Sequence, residues 1–257
     1  MSPRLAARPA PASAGPSDEV APARPAPVAL HDVRAGYGRI AVLHGVDIAV
    51  RRGEVTALLG PNGAGKTTTL GVLSGLIVPM RGCVHVEGRH VNGAGAETFA
   101  RGGISHVREG RSIFPNLTVA DNLEVTCVSG AAADRLVEVA FALFPGLKDR
   151  RSQLAGTLSG GEKQMLALAC GLGVDPSVLL VDELSMGLAP RIVSQLYESV
   201  AEVARSGVAV LVVEQFASLG LQYASHVYVM AHGSIIYDGS TAAAEAAIHA
   251  AYLGADT

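Results

Sequence analysis

The chain has no apolar run long enough to span a bilayer. Stretches such as Gly207–Phe216 (GVAVLVVEQF) meet a charge well before the roughly 18 residues a span needs. Positive charge is not in excess: 20 Lys and Arg face 23 Asp and Glu, for a net charge of −3. That balance excludes a global basic field for nucleic acid or anionic lipid. Cysteine is sparse, and Cys83, Cys127 and Cys170 share no metal-ligand spacing. They read as small buried hydrophobes in a reducing compartment. The eight histidines form no close pair on a helical face, which argues against a zinc site. Lysine is nearly missing, with only Lys66, Lys148 and Lys163, so each one carries more information than usual.

What is present describes a compact α/β protein. The 257 residues are 49% apolar and 17% charged, enough to bury a substantial core. Residues 1–27 are mostly alanine and proline without an apolar centre, so a disordered tail of polyproline character is expected rather than a secretory leader. From Val28 onward short β-branched strands appear, followed by helices that alternate with continuous apolar runs. SVLLVDE (177–183) and VAVLVVE (208–214) have the length and composition of parallel strands buried on both faces. The stretch 225–240 reads as a hairpin turning at His232–Gly233, and 241–254 as one alanine-rich helix. Residues 103–160 are mostly helical in pattern and are expected to form a subdomain within a domain spanning 28–257.

Two stretches carry chemistry on their own terms. GPNGAGKT, Gly60 to Thr67, follows the apolar strand VTALLG and opens a helix. Glycines at that spacing let backbone N–H groups converge on phosphate oxygens, Lys66 reaches the outer phosphates, and the Thr67 hydroxyl suits Mg²⁺. Four fixed positions of this kind match by chance in roughly 1% of such chains or fewer. The second stretch, VLLVDE, puts Asp182 and Glu183 where ligands collect, beyond the carboxyl end of a buried strand. Asp182 there suits a metal and Glu183 the attacking water. The plain alternative is that these acids only cap the helix beginning near Pro190.

A third stretch, TLSGGEKQM (157–165), offers another glycine-rich helix start, although the chain already has a phosphate loop. The phosphate loop, LSGGEKQ and VLLVDE, in this order, resemble the ATP-binding cassette family from Val28 to the C-terminus. That resemblance implies a P-loop NTPase fold with a parallel-sheet core, an antiparallel β subdomain and a helical subdomain. It implies ATP and Mg²⁺ as ligands, and ATP bound by Tyr37, Gly60, Pro61, Asn62, Gly63, Ala64, Gly65, Lys66, Thr67 and Thr68. Ser159, Gly160, Gly161 and Glu162 would touch the nucleotide of a second cassette paired head to tail. Thr67, Asp182 and Glu109 would hold the metal, and Glu183 and Gln215 would serve catalysis.

HVREGRSIFPNLTVADNLEV, SMGLAP, VVEQ and AYLG narrow the likeness to the F-type Liv ATPase subunits of branched-chain amino-acid importers. Such subunits act on the cytoplasmic face of the bacterial membrane, with a sister ATPase or a second copy. Integral-membrane permeases and a periplasmic or lipid-anchored binding protein complete the system, and nucleic acid has no part in it. The resemblance leaves amide or urea importers open, as well as a structural subunit with weak hydrolysis. Glu109 and Gln215 stand where cassettes in general have a glutamine and a histidine. Leu184, Cys170, Arg108 and Phe216 replace a proline, an arginine, a proline and an asparagine usual in the branch.

Overall fold

The computed structural model describes residues 26–126 and 130–253. The expected disordered tail, all but its last two residues, lies outside them, as do Cys127 and Gly254. The first elements are β1 (Val28–Tyr37), β2 (Ile40–Val50), β3 (Val55–Leu59), α1 (Lys66–Leu73), β4 (Arg81–Val86), β5 (Arg89–His90) and α2 (Ala96–Arg101). Next come β6 (Ile104–Val107), α3 (Val119–Val125), α4 (Gly130–Leu143), α5 (Pro145–Lys148) and α6 (Gly160–Gly171). The last are β7 (Val178–Asp182), α7 (Pro190–Arg205), β8 (Ala209–Glu214), α8 (Ala217–Tyr223), β9 (His226–Ala231), β10 (Ser234–Gly239) and α9 (Glu245–Leu253).

The strands form two sheets. One is antiparallel with order β2-β1-β4-β5, and the other has order β10-β9-β3-β8-β7-β6. In the second sheet β9, β3, β8, β7 and β6 run parallel, and only β10 is antiparallel. Its inner strands are continuously apolar because each face meets a different core. Leu179, Val181, Val210 and Val212 point toward α6 and α7. Leu58, Leu180, Leu211 and Val213 point toward α1 and the antiparallel sheet. A strand buried on both sides cannot show polar alternation, which is why these runs read as unbroken. β3 lies between β8 and β9 although it comes far earlier in the chain, so the loop after β3 opens at a reversal of strand order. Crevices at such reversals are where open α/β sheets bind ligands.

The segment expected to be mostly helical opens with β6, which pairs in parallel with β7, and α3 to α5 follow it. Thr118 starts α3 through a capping box: its hydroxyl accepts the Asp121 N–H at 3.1 Å, and Asp121 accepts the Thr118 N–H at 3.2 Å. Asn122, fully buried, accepts the Phe114 N–H at 2.7 Å and donates to the carbonyls of Phe114 and Thr118. The loop before α3 is thus fixed by one amide. The alanine-rich tail differs from the single helix expected. A 3₁₀ turn at Thr241–Ala243 precedes α9, and Ala244 between them is fully buried with Ala57, Leu59 and Val229. The chain bends there to place that methyl group in a small core of its own.

The hairpin β9–β10 turns on His232 and Gly233, with φ of 47° and 76°. Two successive positive φ values make the twist of a tight hairpin match its strands. The Gly233 N–H donates to the Ala64 carbonyl at 2.8 Å, and the Gly233 carbonyl accepts the His44 N–H at 2.9 Å. A Cβ on Gly233 would lie 1.9 Å from the Val42 oxygen. The hairpin tip therefore joins β2 to the loop after β3.

His106 on β6 has both ring nitrogens buried without a hydrogen-bond partner. Burial, and secondarily the Arg108 charge, push its pKa down to about 4. Its folded pKa lies below the unfolded one, so the stability held by the neutral ring is complete above about pH 6.5 and is lost as pH falls toward 4. The expected loss is about 3 kcal/mol over that window. Urea midpoints compared at pH 7 and pH 4.5 should fall less for His106→Leu than for the wild type.

Candidate active site

The phosphate loop is shaped by what approaches it. A Cβ on Gly60 would lie 2.2 Å from the Met230 carbonyl oxygen, so only glycine lets β9 pass this close. Gly63 and Gly65 take φ of 78° and 110°. Gly65 caps α1 without a side chain, which leaves first-turn N–H groups for an external acceptor. Lys66, the first residue of α1, is 5% exposed and folds back over the loop. Its Nζ donates to the carbonyls of Gly60 at 2.7 Å and Pro61 at 3.0 Å. Burial lowers its pKa, while Glu183, Asp182 and Glu214 act against that. Ala64 and Thr68 are buried, and Asn62 and Thr67 are exposed at the mouth of the loop. Tyr37 ends β1 with 57% of its surface free, as a ring that stacks on a planar ligand requires.

The paired acids lie at the end of β7. Asp182 is pushed up to about 6, chiefly by burial, then by the charges of Glu183 and Glu109, with Lys66 opposing. Glu183 adopts φ of 47° and donates its N–H to the Val213 carbonyl at 3.0 Å. Neither acid caps the following helix, since α7 starts from Ala189 with no side-chain cap. One buried ammonium therefore faces several carboxylates, and the excess of negative charge calls for a cation. Among the described residues no three His, Cys, Asp or Glu side chains close into a metal cage. The donors present, the Asp182 carboxylate and the exposed Thr67 hydroxyl, are hard oxygens of the kind Mg²⁺ takes beside water and phosphate.

Residues that the sequence reading passed over complete the surroundings. Glu214, at the end of β8, is 1% exposed and accepts from Ser185 and Tyr197. The Tyr197 ring stacks on Tyr223 with centroids 4.7 Å apart. Tyr252 on α9 donates its hydroxyl to the Gln215 carbonyl, and the Gly60 backbone bonds to the same hydroxyl. Gln215 is thus placed beside the phosphate loop by the C-terminal helix. The sequence signals for Glu214 and Tyr252 were their places in VVEQ and AYLG, which carried the family likeness without giving either residue a role.

LSGGEKQ occupies a different corner. Ser159 caps α6 through a capping box with Glu162: it donates its hydroxyl to Glu162 Oε2 at 2.8 Å and accepts the Glu162 N–H at 3.4 Å. Arg150 Nε meets Glu162 at 2.5 Å. The Ser159 N–H, which donates to Glu162 Oε2 at 2.9 Å, and then the Ser159 hydroxyl hold the Glu162 carboxyl below its usual range, with Arg150 adding to them. Gly161 packs against Ile192 of α7, where a Cβ would come within 2.7 Å, while Ser159 and Gly160 are exposed.

The four branch departures settle into ordinary places. Leu184 is fully buried, and Cys170 is buried with its thiol 3.5 Å from the Asn122 carbonyl. The Arg108 N–H and carbonyl both bond the Ser112 hydroxyl. Phe216 is 57% exposed ahead of α8.

A glycine phosphate loop on a parallel sheet, with acids ending the next strands, defines a P-loop nucleotide-binding protein. Comparison with known proteins is more specific. The ABC transporter family pattern matches residues 43–185. The high-affinity branched-chain amino acid transport ATP-binding protein BraG of Pseudomonas aeruginosa is 41% identical over 85% of this chain and 95% of its own length. The probable branched-chain amino acid transport ATP-binding protein LivF of Archaeoglobus fulgidus is 31% identical over 81% of this chain and 89% of its own. The solved ADP conformation of an ABC-transporter cassette is 26% identical, with a TM-score of 0.77 over 88% of this chain and 98% of that one. The chain belongs to the ABC transporter family, as one of its ATP-hydrolysing cassettes. Among the described residues no helix is long and apolar enough to cross a membrane.

Removing the Ser159 hydroxyl takes away the cap of α6. Ser159→Ala should lower stability by about 1 kcal/mol, read as a lower urea midpoint with an unchanged slope.

Proposed function

We propose that this chain is the ATP-hydrolysing subunit of an importer for branched-chain or related amino acids. It would sit peripherally on the cytoplasmic face of the membrane. The observation that carries the chemistry is buried Lys66 folded over the glycine loop, with Asp182 and Glu183 at the end of β7 within reach of its charge. Loop N–H groups and Lys66 bind the phosphates, and Tyr37 stacks on the base. Glu183 orients and deprotonates the attacking water, and Gln215 hydrogen-bonds the outer phosphate. Mg²⁺, held by Thr67 and Asp182 with Glu109 nearby, would neutralise charge on the phosphates.

Ser159, Gly160, Gly161 and Glu162 would serve a second cassette. The exposure of Ser159 and Gly160, at the start of α6, supports that reading. Nucleotide then becomes part of the interface: binding closes the pair, and hydrolysis releases it, which drives the permease through differential affinity for two states. The partner is a sister ATPase or a second copy, and the cargo is selected by the permease and the binding protein. The names of the relatives support branched-chain amino acids as that cargo. A slower own site than the one its LSGGEKQ completes is the second reading. Gln215 cannot carry an imidazolium charge, and Leu184 gives no ring to stiffen the turn beside Glu183.

Glu183→Gln should reduce turnover by about 10²- to 10⁴-fold while leaving ATP affinity near wild type. The measurement is phosphate release beside equilibrium binding of a fluorescent ATP analogue. Making the matching change in the partner tests the second reading, since equal losses from both would remove the asymmetry.

A further inference from the structure

Glu214 is a buried acid for which packing gives no reason. Its carboxylate is 1% exposed, and among the described residues no salt bridge closes on it. Ser185 N–H donates to Oε1 at 3.1 Å, Tyr197 O–H donates to Oε1 at 2.8 Å, and Ser185 Oγ–H donates to Oε2 at 2.8 Å. Burial pushes its pKa up, and these bonds hold it down. All three donors are neutral, so they repay the desolvation of a carboxylate poorly, and an apolar residue would close the same strand at less cost.

The bonds do act on their neighbours. Ser185 is two residues beyond Glu183. The Glu183 N–H is bound to the carbonyl of Val213 at 3.0 Å, and the Ser185 N–H to the side chain of the next residue of β8. The segment 183–185 is therefore tied at both ends to consecutive residues of one strand. Between the ties Glu183 takes φ of 47°, a conformation that a non-glycine residue holds only when its surroundings impose it. Leu184, fully buried between them, contributes no ring to fix the backbone. The Glu214 carboxylate is the second anchor of this turn, and Tyr197 holds that carboxylate from behind.

We propose that Glu214 is a positioning residue for hydrolysis: through Ser185 it holds Glu183 in its left-handed turn, aimed at the phosphate loop. The role rests on the assignment of Glu183 as the base. It also fixes the start of the loop Ser185–Pro190 relative to Gln215, the residue that follows Glu214.

The test is steady-state hydrolysis in the assembly in which the wild-type chain turns over, for Glu214→Gln, Ser185→Ala, the double variant, and each in a Glu183→Gln background. Each single change should lower kcat about 10-fold or more, as expected when a reacting group is misplaced. KM and binding of a fluorescent ATP analogue should stay within about twofold, because the phosphate loop is untouched. The double variant should be no slower than the slower single one, since both weaken one anchor: Glu214→Gln replaces the carboxylate that accepts from Ser185, and Ser185→Ala removes the hydroxyl donor to it while leaving the N–H. Neither change should slow Glu183→Gln further. Ser185→Ala removes only a hydroxyl and carries the test if Glu214→Gln does not fold. Wild-type kcat in both singles, additive losses, or a further loss in the Glu183→Gln background would overturn the positioning role. Full turnover in Glu183→Gln would remove the base assignment and the positioning role with it. Loss in Glu183→Gln beside full turnover in Glu214→Gln would remove the positioning role alone.

Discussion

The ammonium of Lys66 is almost entirely out of water, and the site is arranged around that fact. Burying an uncompensated charge costs several kcal/mol in effective terms. Two loop carbonyls and the fields of Glu183, Asp182 and Glu214 offset the cost. Those groups come from the ends of β3, β8 and β7, so the compensation exists only when the three strands lie side by side in that order. Asp182 is still pushed up to about 6, chiefly by its own burial and then by the charges of Glu183 and Glu109, against the pull of Lys66. A bare anion would relieve the lysine but worsen the carboxylates. A polyphosphate that arrives with its own cation satisfies both.

The strands that carry these groups are themselves fixed by sidedness. Alternate residues of β7 and β8 enter two separate cores, so a slip of one residue would exchange every side chain between them. Register is therefore strongly set, and with it the height at which Asp182 and Glu214 emerge. Packing energy is spent far from the chemistry, yet it decides where the chemistry stands.

Much of this was legible beforehand, and the unread parts share a cause. GPNGAGKT, the buried runs of β7 and β8 and the His232–Gly233 turn each follow from local rules of composition and spacing. The helix break at Ala244 left no trace, because alanine favours helix and only the tertiary pocket beneath it selects the bend. The donors to Glu214 come from positions 185 and 197, and the hydroxyl against Gln215 from position 252. Pairings at such separations are made by strand order, which the sequence pattern does not specify. For LSGGEKQ the helix start was legible, and the Ser159–Glu162 capping box with Arg150 set against it became visible only in the structure.

The two-residue turn between β9 and β10 has a further bearing. Surface turns are where chains ordinarily tolerate insertions and grafted tags. Here the Gly233 N–H is taken by the Ala64 carbonyl and the Gly233 carbonyl by His44. The outermost point of a hairpin is thus also a wall of the phosphate loop. Lengthening this turn by even one residue would remodel the nucleotide cradle, so it is a poor place to graft a reporter, while the exposed turn at Gly93, with nothing near its missing Cβ, is free of that burden.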